Sequence, residues 1–332
     1  MPILVIKLGA LGDFIQAYRA MTAIAAYHKG DRLTLLTIPS QRDLAEAFGL
    51  FDDIWTDTRP RLTQPWGWLA LARRINQSGF SRIYDLQASS RTGFYFRLTR
   101  PPFSFRRVEW SGIASGCSHP HANPARTTLH NLERQADQLL YAGIDASWYP
   151  PLDTSWVQAD VSELGIEGRP PYVLMVPGSA PAHPAKRWPA AHYAELARGL
   201  AAEGYRPVLL GTASEAATCA EIAAASPAVI NLCDRSPVLA IMALARGAAG
   251  AVGNDTGPMH LIAAMGCPAL TLFSSATNPR NTRPRGPYEG PGATQPPPGV
   301  DPVTTAVLRV DDLADLPVAE VRAAVLLRPP PR

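Results

Sequence analysis

The sequence predicts an α/β protein made of two doubly wound units in tandem, each a parallel sheet wrapped by helices. Three observations carry this expectation. Short continuous apolar runs alternate with segments of helical period along most of the chain. The alternation lapses between Tyr149 and Pro171, where Pro150-Pro151 and Pro170-Pro171 bracket a stretch rich in Pro and Gly, and then restarts. Finally, 332 residues exceed the size at which a single hydrophobic core stops growing. The expected domains are 1–155 and 170–310, followed by a C-terminal helix and tail at 311–332.

Taken in order, Ile3 to Lys7 reads as a buried strand that ends at a glycine turn, Gly9 and Gly12. Phe14, Ile15, Tyr18, Met21, Ala25 and Ala26 then recur near helical spacing. Strands are expected at Leu33 to Ile38, Asp53 to Trp55 and Ile83 to Leu86, with helices at Leu44 to Phe48 and Leu69 to Ile75. Beyond the linker, strands are expected at Tyr172 to Val176, Val208 to Leu210, Val229 to Leu232, Ala251 to Val252 and Ala269 to Phe273. The intervening helices are Ala190 to Glu203 behind Pro189, Ser214 to Ala225 with Ser214 as its cap, Ser236 to Arg246, and the apolar Leu261 to Met265. Pro279 to Pro302 reads as a long loop and Leu313 to Leu327 as a helix.

Composition excludes several classes. With 46% hydrophobic and 18% charged residues the chain supports packed cores, not disorder or a collagen-like repeat. The first apolar run is too short for a signal peptide, and no segment approaches a membrane span. The cysteines, Cys117, Cys219, Cys233 and Cys267, lie far apart without a CxxC pair, so neither zinc nor a disulfide framework is suggested, and a reducing cytoplasm is the expected compartment. Net charge is +3 but uneven: residues 1–150 hold 17 Lys and Arg against 12 Asp and Glu, the remainder 14 against 16. Much of the excess lies in Arg91 to Arg107, where Arg91, Arg97, Arg100, Arg106 and Arg107 alternate with Phe94, Tyr95, Phe96, Phe103 and Phe105. Two readings stay open: a surface for acidic lipid, phosphorylated glycan or nucleic acid, or buried aromatics between solvated arginines.

Three constellations could carry chemistry. In Lys7-Leu-Gly-Ala-Leu-Gly-Asp13 the glycines at the carboxyl end of the first strand let a ligand approach the backbone, as open α/β sheets do at that edge. It is neither a GxGxxG fingerprint nor a P-loop. Asp13 is either a reacting carboxylate or an ordinary first-turn acid facing the helix dipole. In Gly253-Asn-Asp-Thr-Gly-Pro-Met-His260 the amides of a helix start, the Thr256 hydroxyl and the close approach allowed by Gly257 form a seat for a diphosphate; the alternative is a capped helix with a core-facing His260. In Pro177-Gly-Ser-Ala-Pro-Ala-His-Pro-Ala-Lys-Arg-Trp-Pro189, Lys186 and Arg187 are placed to clamp phosphate oxygens, or to sit solvated beside a packed Trp188. Glu215 stands where an acid reaches ribose hydroxyls in nucleotide-binding units, which is also an ordinary first-turn position.

Together, Ile-Lys-Leu-Gly-Ala-Leu-Gly-Asp13, Lys186-Arg-Trp-Pro189 and Gly253-Asn-Asp-Thr-Gly-Pro-Met-His260, followed by Ala263-Ala264-Met-Gly-Cys-Pro268, resemble the ADP-heptose:lipopolysaccharide heptosyltransferases of glycosyltransferase family 9. The resemblance spans nearly the whole chain in the right order. It implies a GT-B fold, two Rossmann-like domains facing across a cleft, the first taking the acceptor and the second the ADP-sugar. It implies inversion at the anomeric carbon with no metal and no cofactor. Asp13 would be the general base and Lys186 the catalytic contact to the diphosphate. The donor would be held by Gly9, Gly12, Ser179, Lys186, Glu215, Asp255, Thr256, Gly257 and His260, and the acceptor by Arg91, Arg97 and Arg100. The expected partners are a nucleotide-sugar donor and an anionic glycolipid acceptor, with peripheral contact to the cytoplasmic face of the inner membrane and no nucleic acid.

Two places depart from the family pattern. Pro181, Ala182 and His183 replace the usual hydroxyl side chains before the lysine, and Ser274-Ser-Ala-Thr-Asn278-Pro279 replaces Gly-Pro-Thr-Asp-Pro. Rival functions are a nicotinamide-dependent oxidoreductase, which lacks its GxGxxG signature, a noncatalytic sugar-nucleotide or glycan-binding protein, and a sugar-nucleotide epimerase.

Overall fold

A computed structural model describes residues 1–328 apart from 58, 62, 105–106, 151, 167–170, 180–183, 292, 294 and 297–303. The chain forms two compact units, Met1–Leu152 with Gly290–Gly292, and Asp153–Glu289 with Ala293–Arg332.

The first unit is built on β1 (Pro2–Ile6), whose residues after Pro2 are all buried, as a central strand covered on both faces requires. The chain continues through α1 (Leu11–Gln16), α2 (Tyr18–Tyr27), β2 (Arg32–Thr37), α3 (Arg42–Ala47), β3 (Asp53–Thr56), α4 (Pro65–Gln77), β4 (Arg82–Asp85), α5 (Ser90–Leu98), β5 (Glu109–Gly112), β6 (His119–Pro120) and α6 (Asn131–Leu140). Every strand pairing is parallel, in the order β3-β2-β1-β4-β5-β6. The chain therefore winds to one edge from β1, returns, and winds to the other, which puts the switch point between β1 and β4.

Several expectations shift here. Gly12 is not part of a turn; it lies buried inside α1. The helical stripe of α2 buries Met21, Ala23 and Ile24, whereas Ala25 and Ala26 are only half-buried. The Arg91 to Arg107 stretch contains a regular helix, α5, capped by Ser89 in a reciprocal box with Thr92. Tyr95, Phe96 and Leu98 of that helix enter the core with Leu4, Ile6, Trp68 and Trp110. Phe105 and Arg106 lie outside the described residues. The strand β5, Glu-Trp-Ser-Gly, is too short and polar to stand out by periodicity.

The second unit repeats the plan with β7 (Tyr172–Val176), α7 (Ala190–Ala202), β8 (Arg206–Leu209), α8 (Ala216–Ala225), β9 (Ile230–Asn231), α9 (Val238–Gly247), β10 (Gly250–Asn254), α10 (Gly257–Ala264), β11 (Ala269–Phe273), α11 (Pro279–Thr282), β12 (Thr305–Arg309) and α12 (Val318–Ala324). The parallel order is β12-β11-β10-β7-β8-β9, with the switch point between β7 and β10. Residues 153–157 already belong to this unit: Arg246 donates to the carbonyls of Thr154, at 3.0 Å, and Val157, at 3.3 Å. Leu313, Leu316, Val321 and Val325 pack into the same core as Val173, Met175, Trp188 and Tyr193.

Here too some boundaries move. Ser214 does not cap α8: a 3-10 turn over Ala213–Glu215, itself capped by Thr212, precedes the helix, and Glu215 is its N-cap residue. The helix expected at Ser236 begins at Val238, because Pro237 stays extended. Pro317 separates a turn at Leu313–Asp315 from α12, so the expected continuous helix is broken where its backbone N–H is missing. Part of the expected loop is the short α11, and β12, which the sequence did not announce, closes the sheet edge.

Candidate functional site

In the first unit the chain leaves β1 through Lys7, Leu8 and Gly9. Lys7 is buried, and its Nζ donates to the Leu86 carbonyl at 3.3 Å across the switch point. Burial pushes its ammonium pKa down, opposed by the charges of Asp13 and Asp85 and reinforced by Arg134. The Leu8 amide donates to Gln87 Oε1 at 2.9 Å, stitching the ends of β1 and β4 together. Gly9 leaves the turn room beside α1, since a Cβ there would stand 3.0 Å from the Cβ of Asp13, a tight contact.

Asp13 is the first-turn acid of α1, but it is not left to the helix dipole alone. Its Oδ1 accepts from Asn131 Nδ2 at 2.8 Å, and the same amide nitrogen donates to Gln16 Oε1 at 2.9 Å. The Arg134 guanidinium in turn donates to Asn131 Oδ1. Asn131 opens α6, so a helix far along the chain orients the carboxylate. Gln138 of the same helix donates to the Asp85 carbonyl at 3.0 Å. Asp85 ends β4 with no exposure at all; its carboxylate accepts the amides of Gln87, at 3.2 Å, and Ala88, at 2.9 Å. Burial raises its pKa to about 6 against the pull of the Thr92 hydroxyl, those amides and Lys7.

In the second unit, Gly178 and Ser179 follow β7. A Cβ at Gly178 would fall 2.5 Å from Glu215 Cγ, so glycine is what admits the glutamate to this end of the strand. Glu215 Oε2 accepts from the Thr212 amide at 2.9 Å and the Thr212 hydroxyl at 2.6 Å, and Oε1 from the Ser214 hydroxyl at 2.5 Å. Burial would raise its pKa, but the Ser214 and Thr212 hydrogen bonds and the Arg187 charge together hold it below the usual glutamate value. Three acceptor positions are thus used locally and one is left. Ser179 is buried, and its carbonyl accepts from Arg187 Nη2 at 2.9 Å.

Lys186 closes a 3-10 turn, Pro184–Lys186, and its Nζ meets Asp255 Oδ2 at 2.8 Å. Thr277 Oγ1 donates to the same oxygen at 2.8 Å. The pair is largely removed from water, with side-chain exposures of 14% for Lys186 and 8% for Asp255, so neither charge is a loose surface group. The ammonium has three donors, and this contact uses one. Next to Asp255, Thr256 caps α10 with its backbone while its hydroxyl makes no capping bond, Gly257 is the first helical residue, and His260 lies buried one turn in. Helix start and cation therefore stand together at the β7/β10 switch point, where the dipole of α10 favours an anion.

Asn254 organises this point. Its Nδ2 donates to the Pro177 carbonyl at 2.7 Å, and its Oδ1 accepts from the Trp188 amide at 3.1 Å and the Tyr193 hydroxyl at 3.0 Å. Gly253 before it is equally constrained: a Cβ would stand 2.7 Å from both Met259 Sδ and Val176 Cβ.

The structure therefore brings Ser179, Lys186, Glu215, Asp255, Thr256, Gly257 and His260 to one sheet edge of the second unit, and Gly9, Gly12 and Asp13 to the matching edge of the first. Pro181, Ala182 and His183 lie outside the described residues. Arg91 and Arg97 line one groove of about 880 Å³ with Trp68, Phe94 and Ser115. Arg100 does not join them. Its guanidinium donates to the Val108 carbonyl at 3.1 Å and lies over Phe96 at 4.6 Å, and burial lowers its pKa. Sequence reasoning missed Asn131, Arg134, Asp85, Asn254 and Thr277. Only the last two carried a usable signal, Asn254 inside the Gly-Asn-Asp-Thr-Gly run and Thr277 inside the segment that departs from the family pattern.

Residues 68–290 match glycosyltransferase family 9 (heptosyltransferase). Lipooligosaccharide heptosyltransferase 2 of Haemophilus influenzae is 35% identical over 127 residues, which is 37% of this chain and 36% of that protein. Lipopolysaccharide heptosyltransferase 1 of Pseudomonas aeruginosa is 25% identical over 294 residues, 84% of this chain and 80% of that one. The first curated relatives are thus matched over only 36% to 40% of their length. The fold is that of Escherichia coli ADP-heptose lipopolysaccharide heptosyltransferase II, with a TM-score of 0.72, 20% identity, and 97% of each chain covered.

Proposed function

Since the chain belongs to glycosyltransferase family 9, the heptosyltransferase family, we propose that it transfers a heptose or related sugar from an ADP-sugar to a lipopolysaccharide core or similar anionic glycan, with inversion and without a metal ion. The observation that carries this reading is the Lys186–Asp255–Thr277 junction beside the open start of α10. A half-buried cation with two donors unused among the described residues, next to a helix N-terminus, is a countercharge for a departing diphosphate. The names of the relatives, which include ADP-heptose for the Escherichia coli structure, support the donor class.

The reaction is a single displacement. The acceptor hydroxyl gives its proton to the Asp13 carboxylate as its oxygen bonds to the anomeric carbon, and the bond from that carbon to the diphosphate oxygen breaks on the opposite side. ADP leaves with the electron pair, its new charge met by Lys186 and the amides near Thr256 and Gly257. Inversion follows from the single attack. Asn131 fixes the Asp13 oxygen through its amide, leaving the second oxygen for the proton. Arg91 and Arg97 provide cations for an acceptor bearing phosphates or carboxylates.

The direct test is to incubate the chain with ADP-heptose and a heptose-deficient lipopolysaccharide and follow ADP release together with the anomeric configuration of the product. Acceptor-dependent ADP release and an inverted linkage are expected. Release without acceptor, a retained configuration, or an epimerised free nucleotide sugar would each remove the reading.

A further inference from the structure

Met1 apart, the large hydrophobic side chains left exposed among the described residues are Trp66, Leu69, Phe103, Leu140, Tyr141 and Trp148, and all belong to the first unit. They form two groups. Trp66, 80% exposed, and Leu69 stand with Phe103 on the outer side of α4, away from Trp68, Ala72 and Ile75, which enter the core. Leu140, 57% exposed, ends α6, and Tyr141 and Trp148 follow it. The groups lie on opposite faces of the sheet. Right-handed crossovers that wind first to one edge and then to the other put α1 to α3 on one face and α4 and α5 on the other. Because α6 packs on α1 and α2, it shares the first face. Trp66 and Leu140 therefore cannot meet within one chain.

Their surroundings are opposite in charge. On α4, Arg73 and Arg74 are exposed and there is no acid; the one acid between residues 58 and 108 is Asp85, which is wholly buried. Beside Leu140 lies a groove of about 360 Å³ lined by Ile144 and Tyr149, whose charged residues are Glu133, Asp137 and Asp145, with no cation among them. A protruding indole among arginines on one face thus complements an apolar hollow among carboxylates on the other. A stable interface needs about 1,000 Å² or more, which three large side chains on each side do not supply, so such a contact is weak. The second unit exposes no comparable side chain among its described residues, so the pattern is particular to these two faces.

We propose that the first unit binds a second copy of this chain head to tail, with Trp66 and Leu69 of one copy entering the groove beside Leu140 of the next and Arg73 of the first facing Asp145 of the second. The two surfaces differ, so each added copy leaves one of each kind open and association continues past the dimer. The contact uses none of the groups assigned to the transfer chemistry.

Sedimentation velocity of the full chain at rising concentration reads the mass directly. The average mass is expected to climb with concentration and to fall back when salt is added. Trp66→Ser removes the protruding side chain and Leu140→Arg obstructs the groove and repels Arg73; each alone should lower the association constant roughly tenfold or more. Each variant keeps the surface that the other has lost. An equimolar mixture of the two should therefore form a dimer that grows no further, an outcome that contact through a single shared patch does not give. Arg73→Glu should also weaken association, and Asp145→Arg in the same chain should restore it. Both Trp66 and Leu140 are exposed, so melting temperatures stay at the wild-type value and loss of association is not loss of folding. The readout is mass, which separates this proposal from the transfer reading. A mass that stays at one chain, association indifferent to either single variant, or a mixture no heavier than its parts overturns it.

Discussion

At the carboxyl ends of β7 and β10 the polar groups come from the strands themselves and the turns that follow, Gly178, Ser179, Asn254, Asp255 and Thr256, with Lys186 and Thr277 reaching in from adjacent loops. At the ends of β1 and β4 only Lys7, Asp13 and Asp85 are local; their partners Asn131, Arg134 and Gln138 arrive on α6, more than 100 residues further along for Asp13. The same strand order therefore serves two construction methods. One edge is made of backbone amides and a short ion pair, suited to fixed recognition of an anion. The other suspends a carboxylate from a buried polar network, suited to controlling where one proton goes. The inner face of α6 buries Asn131, Gln135 and Gln138 alongside Leu132 and Leu139, which a purely structural helix would avoid.

The sharpest way to break this comparison is Asp13→Asn, which keeps the oxygen that accepts from Asn131 and removes the carboxylate proposed as the base. Transfer should fall by about 10²–10⁴-fold while ADP-sugar binding, measured by calorimetry, is unchanged. Loss of both together would mean that the first edge holds the donor, not the proton.

Asp85 offers a pH test of the buried network. Its folded pKa of about 6 lies above the ordinary value of 3.8, so folding binds a proton more tightly than unfolding does. The contribution of Asp85 to stability is full below about pH 4 and is lost as pH rises through about 6, by up to roughly 3 kcal/mol. Asp85→Asn, which keeps the acceptor for the Gln87 and Ala88 amides, should flatten urea-unfolding stability across that window and raise it at neutral pH. A variant less stable than wild type at pH 8 would contradict the assignment.

For the second edge, Lys186→Ala should weaken ADP binding by about ten- to hundredfold and lower the melting temperature, because the Asp255 charge stays buried without its cation. Adding Asp255→Asn should restore the melting temperature but not the affinity. If the double variant regains ADP binding, Lys186 serves only the ion pair.

Asn131→Ala sharpens the comparison at smaller cost. Losing its bonds to Asp13 and Gln16 should destabilise the first unit by about 1–2 kcal/mol and lower kcat more than it raises KM for the donor. An equal change in donor KM would place α6 at a binding surface instead.

The sequence by itself determined the two doubly wound units, most strands, and nearly all of the second edge. Those features rest on short-range physics: buried parallel strands read as apolar runs, and Gly253 to His260 joins strand, turn and helix start in one contiguous stretch, so its chemistry is visible without coordinates. Only the tertiary structure decided what surrounds Asp13, that Gly178 makes room for Glu215, that Thr277 shares the Asp255 oxygen, and that Arg91 and Arg97 share a groove from which Arg100 is turned away. These depend on which distant side chains meet when helices close over a sheet. Burial and hydrogen bonding between residues far apart in sequence leave no periodic trace, and the polar face of α6 even contradicts the apolar pattern by which a packed helix is recognised.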